Sequence, residues 1–303
     1  MILLTGTSGF VGQNLVNYLA RFGISQHAIS RQELNSIDFA INNNAESLVH
    51  LAGKAHDLKL ATDSSDYIEV NFELTRKLYD VFLLSNCTKF IFISSVKAVT
   101  DRPGSILTEE FVPNPKTPYG RSKLMAEKYI QDQPLPRGKY FYILRPCMIH
   151  GPGNKGNLNL LHNLIDRGIP YPLAAFENKR SFLSIENLCF VISELLQRDD
   201  IPSGAYNVAD DEPLSTNEVV EILCQGSGKI PQLWKVPKRI VFVLAKMGDI
   251  LGSIFTSEKL RKLTESYIVS NCKLKKALGK ELPLSSRDGL LLTAKSFRTR
   301  LSI

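Results

Sequence analysis

The sequence predicts an α/β protein, with a parallel, doubly wound sheet over residues 1–150 and a smaller unit over 151–303 from which the chain returns to the sheet. Three observations carry this. The chain opens with a short apolar strand, Met1 to Leu4, that runs through a Gly-rich turn into a helical pattern. Short apolar runs then alternate with helix-period segments as far as Pro146. From Gly151-Pro152-Gly153 onwards that rhythm is lost.

The turn Thr5-Gly6-Thr7-Ser8-Gly9-Phe10-Val11-Gly12 leads into a helix with Val11, Leu15, Val16 and Leu19 on one face. Gly6 suits a tight turn, Gly9 a close approach of backbone to a pyrophosphate, and Gly12 close helix–strand packing. The alternative is a purely structural turn. His27 to Ser30 reads as the second strand. Dinucleotide sites often place an acidic residue at its end, and this chain has Ser30-Arg31. An Arg there can pair with a 2′-phosphate, which tilts the cofactor towards NADP over NAD, or it can simply be solvated. Asp38, within Ile37-Asp38-Phe39, can flank an adenine. Ser47 to Gly53 reads as a buried strand ending in Leu51-Ala52-Gly53, small enough for backbone to lie against a cofactor. Residues 66–86 read as a helix with Asn71 near its start, as a cap or turn amide.

Phe90 to Ser95 is a buried strand ending in two hydroxyls, Ser94 and Ser95. A helix begins near Pro118 and puts Tyr119 and Lys123 on one face. A phenol beside an ammonium is a proton-transfer device. The positive charge is expected to lower the Tyr pKa from ~10 towards working pH. The other reading of Tyr-x-x-x-Lys is an ordinary surface helix. Tyr140 to Pro146 is a further strand. The Gly-rich turn, His50 to Gly53, Ser94-Ser95 and Arg145-Pro146 all fall at strand C-terminal ends, where ligands of doubly wound sheets bind. Beyond residue 150, Asn178 to Arg180 suits an anion or a solvated turn. Ser184 is expected to cap a helix over 185–197, and Ser215 or Thr216 another from 215. The apolar stretch 236–255 reads as a core helix, with contact to a membrane surface as the lesser reading.

Composition narrows the class. The 303 residues are 44% hydrophobic and 22% charged, as in a globular protein, and no apolar run is long enough for a transmembrane helix. Met1 runs straight into Ile2-Leu3-Leu4, so no signal peptide is expected, and the cysteine usage makes cytoplasmic thiols, and with them a cytoplasmic location, the simplest expectation. The five cysteines are scattered without metal-ligand spacing. The net charge of +7 is dispersed and carries no nucleic-acid module. It fits an enzyme for anionic substrates better than a nucleic-acid binder.

The segments TGTSGFVG (5–12), HLAG (50–53), ISSVKA (93–98), PYGRSK (118–123), LRPCMIHGPG (144–153) and RSFLSIENL (180–188) together resemble the extended short-chain dehydrogenase/reductase family. More narrowly they are similar to its nucleotide-sugar epimerase/dehydratase branch, over nearly the whole chain. The resemblance implies a Rossmann domain followed by a nucleotide-sugar domain. It implies Tyr119 as acid/base, Lys123 on the nicotinamide ribose, and Ser95, or less directly Ser94, at the reacting sugar oxygen. Gly6 to Gly12, with Thr7, Ser8, Phe10 and Val11 between them, would hold the cofactor. Arg180 would bind the nucleotide diphosphate, Asn157-Leu158 the substrate, and Asn71 would sit behind the site. It also implies pairing into a homodimer through the Tyr119 helix and the 66–86 helix. His150 and Asn187 depart from the family's usual Tyr and Asp. A 4,6-dehydratase would carry an Asp-Glu pair where this chain has Val96-Lys97, so dehydration is discounted. Two reactions at sugar C4 of a UDP-sugar remain, epimerisation with retained cofactor and a single ketone reduction. A retired, cofactor-sensing relative is the alternative, which the intact Ser95/Tyr119/Lys123 set opposes.

Overall fold

The computed structural model describes residues 1–36, 40–41, 44–54, 64–154, 156–251 and 256–299, so Asp38 lies outside the described residues. The strands are β1 (Ile2–Thr5), β2 (Gln26–Ile29), β3 (Ser47–His50), β4 (Lys89–Ile93), β5 (Tyr140–Pro146), β6 (Met148–His150), β7 (Phe182–Ser184) and β8 (Gly204–Val208). The helices of the first half are α1 (Phe10–Arg21), α2 (Arg31–Asn35), α3 (Ser64–Ile68), α4 (Leu74–Leu84) and α5 (Pro118–Asp132). Those of the second are α6 (Asn157–Asp166), α7 (Ile185–Gln197), α8 (Thr216–Ser227), α9 (Lys238–Leu251), α10 (Ser257–Thr264), α11 (Cys272–Leu278) and α12 (Ser286–Thr299).

Six strands form one sheet in the order β2-β1-β3-β4-β5-β8, and every neighbouring pair is parallel. Consecutive strand residues point to opposite faces. Leu4, Val49, Ile91 and Leu144 pack with Leu15 and Leu19 of α1 and Leu188, Ile192 and Leu195 of α7. Their neighbours Leu3, Leu48, Phe90 and Ile143 pack with Leu78 and Phe82 of α4 and Ala126 and Ile130 of α5. Burial on both faces explains why these strands read as continuous apolar runs rather than alternating ones. Each such side chain contributes ~1.5–3 kcal/mol by leaving water. The chain steps from β1 outward to β2, then crosses back to β3 on the other side. That reversal opens a crevice at the C-terminal ends of β1 and β3.

Past residue 150 the chain divides its allegiance. α7 covers α1, and β8 completes the sheet beside β5. α6, α8 and α12 enclose a second core with Leu158, Ile222, Leu223 and Leu290, joined by Phe182 of β7. Ser215 caps α8 through a reciprocal bond with Glu218, as expected. Ser184 does not cap α7. Its side chain makes no cap bond, and its amide donates instead to the buried Asp210 carboxylate, which also accepts from Asn187 Nδ2 at 2.7 Å. Over its described residues, the apolar stretch 236–255 does not form a core helix. In α9 the buried positions are Val241, Ala245 and Gly248, and most of its large apolar side chains face outward. Hydrophobicity alone did not separate a buried helix from one lying on the surface.

Candidate active site

The β1–α1 turn is fixed by Gly6, whose φ of +71° and approach to Ala52 leave no room for a side chain, since a Cβ would stand 2.6 Å from Ala52 N. Gly9 N–H donates to Gly6 O at 3.1 Å, and Gly9 precedes α1 without any side-chain cap. The first-turn amides of α1 therefore point, with the positive end of the helix dipole, at whatever sits over the turn. A cleft of about 1490 Å³ opens there, lined by Gly6 to Gly9, Ile29 to Arg31 and Leu51 to Lys54. Phe10 and Val11 are half-buried against the core and Gly12 is buried within α1, so these three support the turn from beneath. Arg31 is exposed on the cleft wall, and Ser30 caps α2 in a capping box with Glu33.

Beneath the floor lies His50, fully buried. Ala52 N–H donates to Thr5 Oγ1 (3.1 Å) and Thr75 Oγ1 donates to Asn71 O (2.8 Å). Thr75 must then accept from His50 Nε2–H (3.0 Å), and Nδ1 accept from Thr5 Oγ1–H (2.7 Å). The network holds a neutral imidazole, and burial, with Lys123 adding to it, pushes the His50 pKa down to about 3. The unfolded chain binds a proton at His50 near pH 6.5 that the folded chain refuses. Stability is therefore expected to fall as pH drops from 6.5 towards 3. Urea midpoints measured between pH 7 and 4 check this. The decline should be shallower in His50→Asn, and parallel slopes would remove His50 from the account.

The candidate reacting groups Ser95, Tyr119 and Lys123 lie beside this floor. Thr117 caps α5 by accepting Gly120 N–H (3.2 Å), with Pro118 at the first helical position. Gly120 packs so closely on the Lys97 carbonyl that a side chain would collide with it. The start of α5 is thereby pressed onto the 3₁₀ turn Val96–Ala98, which Ser95 caps by accepting Lys97 N–H (3.2 Å). The Ser95 side chain acts on the Tyr119 phenol, holding its pKa down. Lys123, one turn further on, donates to Ile93 O (2.9 Å) and lies 4.7 Å from the centre of the Phe92 ring, directly under Gly53 of the cleft. The Tyr67 ring meets Tyr119 edge-on at 6.3 Å.

The electrostatics differ from the sequence expectation. Tyr119 is pushed up, not down. Loss of water around the phenol is the largest influence, and the Ser95 side chain pulls back against it. Lys123 carries the complementary change, depressed to about 8 by burial and partly restored by Glu127. Its ammonium is directed at the Ile93 carbonyl and the Phe92 ring rather than at the phenol. The resting phenol thus holds its proton, and the lysine is the group closer to neutrality.

Of the groups that support this cluster, Asn71 is the one the resemblance puts behind the site, and Glu127 is the one that no sequence motif singles out. Asn71 sits in a π-helical turn, Glu69–Glu73, between α3 and α4. Its amide clamps Lys54 by accepting from N–H (2.9 Å) and donating to C=O (3.2 Å), and it reaches Ser122 Oγ at 3.1 Å. Glu127 and Arg145 form a buried ion pair closed by three hydrogen bonds, the shortest 2.6 Å. The Ser94 hydroxyl is bonded to the same carboxylate, so Ser94 braces Glu127 while Ser95 serves Tyr119. The signal was in the spacing, since Tyr119, Lys123 and Glu127 stand at i, i+4 and i+8 on one helix face.

The other expected residues lie on the segments after residue 150. Asn157 opens α6, and Leu158 is buried in the second core. The Arg180 guanidinium donates to the carbonyls of Lys262 and Glu265 at the end of α10. Asn178 bonds Thr216 and Leu263 O.

The NAD dependent epimerase/dehydratase family model matches residues 2–209. A UDP-glucose 4-epimerase from Vibrio cholerae is 31% identical, the alignment covering 98% of this chain and 95% of that one. A solved UDP-N-acetylglucosamine 4-epimerase from Bacillus cereus shares the fold with a TM-score of 0.75 at 21% identity, over 100% of this chain and 99% of that one. RMD from Pseudomonas aeruginosa, complexed with NADPH, does so at 0.72 and 20% identity, over 99% of each chain.

Proposed function

Since this chain belongs to the NAD dependent epimerase/dehydratase family, we propose that it moves hydride between a nicotinamide dinucleotide and C4 of a nucleotide-bound sugar, with Tyr119 as acid/base. The observation that carries this is the convergence of Ser95 and Lys123 on the start of α5 around Tyr119, with Lys123 set under Gly53 at the edge of the cleft. The cleft suits the cofactor by its uncapped helix start and by a turn too tight for any side chain at Gly6. A bound nicotinamide supplies the hydride acceptor and donor.

The chain's own residues handle the proton. Ser95 orients the C4 oxygen towards the Tyr119 hydroxyl. When a C4 ketone is reduced, Tyr119 starts as the phenol that its raised pKa maintains and gives its proton to that oxygen. When the alcohol is oxidised, the proton passes from the C4 hydroxyl to a Tyr119 phenolate, and Lys123 is the nearby cation that stabilises that anion. Asn71 and Glu127 keep the surrounding backbone and α5 in place.

Epimerisation of a UDP-sugar is the first reading, on the strength of the Vibrio cholerae relative. A single ketone reduction with NADPH is the second, favoured by the exposed Arg31 on the cleft wall. Nicotinamide released on denaturing the purified protein, followed by assays with UDP-galactose and with a UDP-4-keto-6-deoxy sugar plus NADPH, separates them. Retained NAD with UDP-galactose/UDP-glucose interconversion supports the epimerase, and NADPH consumption with the keto sugar alone supports the reductase. Loss of a phosphate-pairing guanidinium is expected to weaken NADPH roughly tenfold in Arg31→Ala while NADH changes little. Equal losses for both cofactors would mean that Arg31 does not meet the 2′-phosphate.

A further inference from the structure

Helix α9 divides its circumference into three strips. Val241, Ala245 and Gly248 are buried, the first two in a small core with Leu173 and Leu260. A second strip carries Ile240, Val243, Leu244 and Met247 at i, i+3, i+4 and i+7, continued by Ile250, with exposures from 50% at Met247 to 84% at Ile250. The third carries Lys238, Arg239 and Lys246, all exposed. The helix's one acid, Asp249, accepts the Ser257 N–H at 2.9 Å, so it is tied to the start of α10. Trp234, the chain's single tryptophan, precedes the helix and is 59% exposed.

A free apolar strip flanked by cations is the pattern of a helix that lies in a membrane interface. We propose that this face of α9 seats on an anionic phospholipid bilayer. Ile240, Val243, Leu244, Met247 and Ile250 enter the acyl boundary, and Lys238, Arg239 and Lys246 meet the headgroup phosphates. Charge decides against a second copy of the chain as the occupant. An α9-to-α9 contact would bring together six cations and no free acid, since Asp249 is already tied to Ser257, whereas an anionic surface neutralises them and draws in a chain of net charge +7. No helix among the described residues is long and apolar enough to cross a membrane, so the attachment is peripheral. The inference concerns where the protein works and stands apart from the reaction proposed above.

The test is co-sedimentation of the full chain with sucrose-loaded vesicles, either phosphatidylcholine alone or phosphatidylcholine with phosphatidylglycerol. Binding is expected with phosphatidylglycerol, falling as salt rises, with a blue shift of Trp234 emission if that ring enters the interface. Removing apolar insertion in V243E/M247E is expected to cut vesicle affinity roughly tenfold or more, and K238E/K246E to abolish the preference for phosphatidylglycerol. Both pairs lie on exposed positions, so thermal midpoints should stay near that of the unaltered protein. Equal sedimentation with and without phosphatidylglycerol vesicles overturns the proposal. So does a fall in oligomeric state of V243E/M247E in lipid-free buffer, which would make the face a contact between copies.

Discussion

Tyr119→Phe is expected to lower kcat by roughly 10³-fold, the scale of a lost general acid/base. The ring stays, so its edge contact with Tyr67 and the packing of the α5 start on the Lys97 carbonyl are kept. The hydroxyl goes, and with it the group that Ser95 acts on and the proton proposed for the C4 oxygen. Lys123 cannot stand in, because its Nζ is held by the Ile93 carbonyl. Cofactor affinity should change little, since the cleft walls at Gly6 to Gly9 and Leu51 to Lys54 do not include Tyr119. Steady-state rates with a UDP-sugar panel, beside cofactor titration and thermal unfolding, check all three statements. Turnover within a few-fold of the unaltered enzyme would end the assignment of Tyr119.

Glu127→Ala should produce the largest loss of stability. It strands the Arg145 guanidinium, which is 5% exposed, and removes the partner of the Ser94 hydroxyl. Breaking one side of a buried pair costs about 3–5 kcal/mol, because the remaining charge stays desolvated. In a chain of this size that corresponds to a fall in Tm of roughly 5–8 °C. Replacing both partners in Glu127→Met/Arg145→Met should recover much of the loss, since two apolar side chains leave no unpaired charge. Thermal and urea unfolding of the two variants decide the matter, and a single-variant loss under about 1 kcal/mol would contradict the burial argument. Glu127 is also the group that raises Lys123, so its removal lowers that pKa further and should move the alkaline limb of the pH–rate profile to lower pH.

The sheet and α5 were legible for identifiable reasons. β5 was placed residue for residue because both of its faces are apolar. α5 was placed because Thr117 and Pro118 mark its start before any packing is considered. The Gly-rich turn and the His50 to Gly53 segment were brought together by the strand order, which the alternation of strands and helices implied. What stayed hidden depended on residues distant in sequence. Local pattern could not show that Asp210 would take the Ser184 amide, or that a π turn would bury Asn71 against Lys54. The direction of the Tyr119 shift was misread because a charge four residues away is visible in sequence and the withdrawal of water is not. α9 was misread because its composition resembles a core helix, while burial depends on which elements reach it.

The return of the chain to lay β8 beside β5 bears on how the protein is assembled. A nascent chain stopping near residue 150 would leave the outer edge of β5 without its hydrogen-bonding neighbour and α1 without α7 over it. Such an edge, apolar on both faces, is a template for pairing with another chain. The six-stranded sheet is therefore not built from one contiguous stretch of chain. Its last strand must wait for more than fifty further residues, so synthesis passes through a stage at which the unfinished sheet is open to aggregation.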